Sequence, residues 1–160
     1  DRVVVSVEFR PILCPWPQQL IGERTMSNRP YTEAIANLRA VGLRPTRQRI
    51  ALAKLLFSGL DRHVTAESLL AEAAEKNVKV SLGTVYNTLH QFTNAGLLRE
   101  IIVDANRCYF DTNVSEHHHF FFEDSNCLED IHSDDIIISK LPSPPIGKTL
   151  RRVDVIVRVS

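Results

Sequence analysis

Between residues 30 and 96 the apolar side chains recur every three or four positions; from residue 97 onward they cluster or alternate. The first spacing is that of amphipathic helices and the second that of strands. A first helix is predicted over residues 30–41, with Thr32 able to cap it, Ile35, Leu38 and Val41 on one face and Gly42 as its stop. A second is predicted over residues 46–57, with Ile50, Ala53 and Phe57 as its stripe and Gly59 at its end. Thr65 opens a third, in which Ala66, Leu69, Leu70 and Ala73 are apolar, Glu67 and Glu72 face outward, and Asn77 closes the element. Ser81 caps a fourth that runs to Thr93, where Val85, Leu89 and Phe92 fall at i, i+4 and i+7, and Gly96 follows its end.

Two strands come next. Residues 97–103 are β-branched and apolar, Asp104-Ala105-Asn106 has turn chemistry, and residues 107–110 return. Helices followed by a hairpin in this order predict a winged helix-turn-helix. The fourth helix carries Ser81, Thr84, Asn87, Thr88 and Gln91 away from its apolar stripe, with Tyr86 beside them. Amides and hydroxyls of this kind read base edges, and an aromatic ring meets thymine methyls. Arg44, Arg47 and Arg49 surround the start of the second helix, where guanidinium groups reach flanking phosphates.

Beyond residue 111 the pattern changes. His117-His118-His119 runs into Phe120-Phe121-Phe122, Asp124-Ser125-Asn126 is a turn, and residues 127–131 read as a returning strand. A short helix is predicted from Asp134 to about residue 140. Pro142, Pro144 and Pro145 then exclude helix or ladder. Val153, Val155, Val157 and Val159 alternate with Arg152, Asp154, Ile156 and Arg158, predicting a strand over residues 151–159. So few elements bury little area alone, and pairing with a second copy is the expected remedy.

Composition and charge narrow the possibilities further. The chain has 160 residues with 19 basic and 19 acidic side chains, which suits one ordinary domain or two small ones. The zero net charge divides into 0 for residues 1–26, +3 for 27–111 and −3 for 112–160, so neutrality does not argue against a nucleic-acid partner. The three cysteines, Cys14, Cys108 and Cys127, are too scattered for a disulfide framework, which favours a reducing, cytoplasmic setting. No apolar run approaches the ~20 residues of a membrane-spanning helix, so no membrane partner is expected. Residues 1–26 read as a non-native or disordered extension, with Met26, the only methionine, as the expected start. Cys14-Pro15 within it is a candidate thiolate ligand for haem iron.

The histidine run is the strongest sign of a sensor. On a strand His117 and His119 share a face, about 7 Å apart, and His118 points the other way. Two imidazoles close on a metal only with a further ligand, for which His63, Asp111, His132, Glu129 and Asp130 are candidates. The phenylalanines could wall a porphyrin.

Four separated motifs now resemble one family, the ferric uptake regulators. They are Gly42-Leu43-Arg44-Pro45-Thr46-Arg47-Gln48-Arg49, Arg62-His63-Val64-Thr65-Ala66-Glu67, Gly83-Thr84-Val85-Tyr86-Asn87-Thr88-Leu89 and His117-His118-His119. The similarity covers residues 30–160. It is greatest to the iron response regulator branch, through Tyr109-Phe110-Asp111-Thr112-Asn113-Val114 and the aromatic residues after the triplet. The resemblance implies an α/β two-domain chain. Residues 27–111 would be the winged-helix DNA-binding domain and residues 112–160 a small α/β domain for dimerisation and haem or metal sensing.

The same resemblance implies Tyr86 at a thymine methyl, Arg44 toward the minor groove or backbone and Arg49 at phosphates. It implies His63, Asp111 and the triplet as metal ligands. Haem is the cofactor expected of the branch, with iron, manganese or zinc as a divalent alternative. The expected partners are AT-rich palindromic promoter DNA, a second copy of the chain and a haem-delivering protein. Cys14-Pro15-Trp16 reproduces a haem motif of some branch members. The family's paired cysteines are incomplete, since Asp124 stands where the partner of Cys127 is usual, so no Cys₄ zinc site is expected. The expected function is repression of iron and haem genes, with zinc, manganese or peroxide response as the alternative. A metal-dependent hydrolase is disfavoured, because no His-Glu-x-x-His arrangement occurs. A haem-storing or haem-trafficking module is disfavoured by the neutral hydrogen-bonding face of the fourth helix.

Overall fold

The computed structural model describes residues 30–160. They divide into two compact units at Val114/Ser115, three residues beyond the boundary expected at Asp111. The extension and Cys14 lie outside the described residues.

The N-terminal unit holds α1 (Pro30–Ala40), α2 (Arg47–Phe57), β1 (His63–Val64), α3 (Ala66–Glu75), α4 (Leu82–Asn94), β2 (Arg99–Asp104) and β3 (Arg107–Asp111). Caps set the helix starts. The Thr46 hydroxyl accepts from the Arg49 amide, that of Ser81 from the Thr84 amide, and Thr65 and Ser68 form a reciprocal capping box. Helix ends fall where the chain turns left-handed, at Gly42 (φ 76°), Asn77 (φ 58°) and Gly96 (φ 77°). The predicted stripe of α4 is the centre of the core. Val85, Leu89 and Phe92 are fully buried with Leu38, Leu52, Leu56, Leu69 and Phe110, and each such side chain contributes about 1.5–3 kcal/mol by leaving water.

The wing is an antiparallel sheet of order β1-β3-β2. Its two-residue strand β1 was not predicted, because so short a segment carries no periodicity. β1 pairs in register with the far end of β3, His63 opposite Asp111 and Val64 opposite Phe110. Main-chain and hydroxyl bonds extend the clasp: the Arg62 amide donates to Thr112 Oγ1 (2.8 Å) and the Thr112 amide to the Arg62 carbonyl (3.1 Å).

The C-terminal unit contains β4 (His118–Phe122), β5 (Cys127–Ile131), a 3-10 turn (Ser133–Asp135) and β6 (Ile156–Val159). Strand order is β5-β4-β6, with β5 antiparallel and β6 parallel to β4. Two expectations are corrected. The helix predicted from Asp134 is only the single turn Ser133–Asp135, because Ile136, Ile137 and Ile138 follow at once and β-branched side chains resist helix. The strand predicted over residues 151–159 pairs only from Ile156, since β4 offers five residues and its partners His119–Phe122 are used by Ile156–Val159. Among the described residues no helix is long and apolar enough to cross a membrane.

Candidate nucleic-acid interface and candidate metal centre

α4 presents a polar face beside its buried stripe. Ser81 and Asn87 are exposed, and Thr84, Tyr86 and Gln91 are half-buried. Ser81 Oγ and Thr84 Oγ1 share a hydrogen bond of 2.9 Å. Thr88 does not belong to this face. It is 4% exposed, because position 88 is three residues from Val85 and four from Phe92 and so falls inside the apolar stripe.

The Tyr86 hydroxyl donates to Glu67 Oε1 of α3 at 2.9 Å. That bond, then burial and the neighbouring carboxylate charge, raise the phenol above its ordinary range and keep it protonated. The Tyr86 ring stacks on His90 one turn later, with centroids 6.3 Å apart and planes at 21°. His90 is exposed and packs edge-on against Phe110. Sequence reasoning missed His90 and Glu67 as companions of Tyr86; the i, i+4 spacing of Tyr86 and His90 was the available signal.

The three arginines differ. Arg44 and Arg47 are exposed. Arg49 is a staple: Nε donates to Gln91 Oε1 (2.9 Å) and Nη1 to the Arg44 carbonyl (2.8 Å). It joins the start of α2 to α4 and holds the Gln91 amide in place.

Within the N-terminal unit the β1–β3 register brings His63 and Asp111 together, Nε2 to Oδ2 3.3 Å. Asp111 is fully buried, and its Oδ1 accepts from the Asn113 amide at 2.8 Å. That bond orients Oδ2 toward His63.

Within the C-terminal unit His117 and His119 are buried, with Nε2 atoms 3.0 Å apart. Asp130 is opposite His119 across the β4–β5 ladder, and its Oδ1 lies 3.4 Å from His117 Nε2 and 3.7 Å from His119 Nε2. Register thereby chooses between two candidates. Directly opposed residues share a face, so Asp130 joins the histidines, whereas Glu129 is opposite Phe120 on the other face. His117 Nδ1 lies 2.8 Å from the Ser115 carbonyl. With the proton on Nδ1, His117 donates to that oxygen and Nε2 carries the lone pair, the usual outer-shell arrangement of a metal-binding histidine.

This donor set fits a small divalent ion. Zinc–nitrogen bonds of about 2.0–2.1 Å place adjacent ligands of a tetrahedral ion roughly 3.4 Å apart, close to the separations observed. Two imidazole nitrogens and a carboxylate oxygen suit zinc, manganese or ferrous iron.

Two other predicted ligands are elsewhere. His118 lies on the opposite face of β4, where its Nδ1 accepts from the Val155 amide at 3.3 Å and ties β4 to the approach of β6. His132, one residue past β5, is exposed and caps the 3-10 turn by accepting from the Asp134 amide at 3.3 Å. Neither is brought to His117 and His119. Burial, then its hydrogen bond to Glu100 Oε1 (3.2 Å), push the Cys108 thiol up to about 12.

Residues 40–142 match the family described as "Ferric uptake regulator family". The peroxide-responsive repressor PerR of Staphylococcus epidermidis is 33% identical over 100 residues, which are 62% of this chain and 66% of that protein; the chain therefore spans just under two thirds of that relative. The manganese-containing ferric uptake regulator of Pseudomonas aeruginosa superposes with a TM-score of 0.61 at 24% identity, over 79% of this chain and 96% of the other. That of Vibrio cholerae gives 0.61 at 18% identity, over 78% and 97%. At these identities the structural likeness speaks for the fold, two-domain with a winged helix followed by a small α/β unit. The chain belongs to the ferric uptake regulator family, whose members are transcriptional regulators and not enzymes.

Proposed function

We propose that this chain acts as a homodimeric repressor whose affinity for AT-rich palindromic duplex DNA is set by a divalent ion at His117, His119 and Asp130. The observation that carries the reading is the facing pair of buried Nε2 atoms, 3.0 Å apart, with Asp130 Oδ1 beside both. Two buried imidazoles and a carboxylate have a purpose in such contact when a cation separates them. The resemblance adds His63 and Asp111 as metal ligands, and their 3.3 Å approach on the β1–β3 clasp supports that role. The bound ion supplies positive charge that neutralises the carboxylate and fixes the imidazoles. The protein does the rest: Ser115 orients His117, the β4–β5 ladder orients Asp130, and Asn113 orients Asp111.

DNA contact rests on α4. Ser81, Asn87 and the Tyr86 ring would meet base edges, and Arg44 and Arg47 the phosphates, while Arg49 and Gln91 brace the helix. Pairing with a second copy is supported by the small apolar core of residues 115–160, where Phe121, Ile131 and Ile136 are buried but Ile137, Leu141, Ile146 and Leu150 are exposed. Ion identity is open to manganese, zinc and ferrous iron, and a peroxide response is the alternative suggested by the PerR relative.

A second reading, a haem response of the iron response regulator type, has one observation in its favour. His118 shares the outer face of β4 with Phe120 and Phe122, whose rings are 6.4 Å apart, an imidazole beside an aromatic wall. Fluorescence anisotropy with a labelled AT-rich palindromic duplex separates the readings. Mn²⁺ or Zn²⁺ is expected to change affinity five-fold or more, on the order of ordinary allosteric coupling, while haem leaves it unchanged. A response to haem alone, lost in His118→Ala, would replace the ion by haem.

A further inference from the structure

We propose that Arg62 is the positioning residue through which the His63–Asp111 pair controls the DNA-reading helix. The inference rests on the reading of that pair as metal ligands. Arg62 immediately precedes His63, and its backbone is clasped on both sides to Thr112, which immediately follows Asp111. Any change in the separation of His63 and Asp111 therefore moves the Arg62 backbone. The side chain leaves this clasp and grips two helices at once. Nη2 donates to the Leu55 carbonyl in the last turn of α2 (2.9 Å) and pairs with Glu72 Oε2 of α3 (2.8 Å).

Both helices carry the contact onward to α4. On α3, Glu67 lies five positions before Glu72 and accepts from the Tyr86 hydroxyl. On α2, Arg49 lies six positions before Leu55 and donates to Gln91. Two side-chain bonds on two rigid helices thus connect one guanidinium to Tyr86, midway along the predicted reading face, and to Gln91 at its C-terminal end. A plain surface ion pair would touch one element and contribute little. Arg62 touches the ligand clasp, α2 and α3, the elements that must move together if an ion is to alter the pose of α4.

The test uses the full chain and the AT-rich duplex, with and without saturating Mn²⁺. Wild type is expected to gain about ten-fold in affinity with the ion. Arg62→Met is expected to keep its metal-free DNA affinity and its Mn²⁺ affinity, both measured directly, while the gain collapses to less than about two-fold. Amide exchange provides a readout that a passive structural role would not move. Mn²⁺ should slow exchange around Leu55 and in α3 of wild type, and leave both unchanged in Arg62→Met. A full gain retained by a folded Arg62→Met overturns the coupling and leaves the metal-responsive reading intact. A wild type that ignores Mn²⁺, Zn²⁺ and Fe²⁺ overturns both. If Arg62→Met fails to fold, Glu72→Gln decides: it keeps shape and the Leu55 bond, is expected to lose most of the gain, and overturns the proposal if the gain is intact.

Discussion

Three side chains show how local partners decide what a residue is able to do. Tyr86 gives its hydroxyl to Glu67, so on the proposed reading the ring, not the phenol, would meet a thymine methyl. Arg49 donates from Nε to Gln91 and from Nη1 to the Arg44 carbonyl and becomes a brace. Cys108 is held protonated by burial and Glu100. From Cys108 a prediction follows about reactivity and pH. Its folded pKa of about 12 lies above the ordinary thiol value, which is about 8.5, so the folded chain keeps a proton that the unfolded chain releases. The associated stability is fully present below about pH 8.5 and is lost as pH rises toward 12. Iodoacetamide at pH 8 should label exposed Cys127 and spare Cys108, read by peptide mass spectrometry, until denaturant is added. Rapid labelling of Cys108 in the folded chain would contradict the described environment.

At the scale of elements, caps and periodicity explain what was legible. Thr46, Thr65 and Ser81 mark the starts of three helices, and the i, i+4, i+7 stripe of α4 is wholly buried. Ser81→Ala removes the acceptor of the Thr84 amide. It should lower stability by about 1 kcal/mol, within the usual 0.5–2 range for a lost cap, detectable as a shifted urea midpoint with an unchanged slope. No shift would mean that the cap is replaced by water. The sequence left other matters undecided because they depend on pairing. β1 is too short to show a period, yet its register is what brings His63 to Asp111. Asp130 and Glu129 are neighbours in the chain, and only the β4–β5 ladder selects between them. Thr88 is polar, yet its helical angle places it with the core. His118 and His132 carry the right chemistry for ligands, but pleat and loop direct them to Val155 and Asp134.

For the whole molecule, zero net charge conceals a chain divided in sign, +3 over residues 27–111 and −3 over 112–160. So modest a basic excess gives weak non-specific attraction to phosphates. Specific affinity should therefore rest on pairing of two copies, on Arg44 and Arg47, and on the α4 face. On the proposed function such a binder would be readily switched, because no large electrostatic term would hold it on DNA without the ion. Whether His117, His119 and Asp130 hold the controlling ion is decided by DNA affinity across a Mn²⁺ titration in wild type and Asp130→Ala. This placement of the ion predicts the same metal-free affinity for both and a half-maximal Mn²⁺ concentration raised at least about ten-fold in the variant. Coincident Mn²⁺ curves for the two proteins would contradict it.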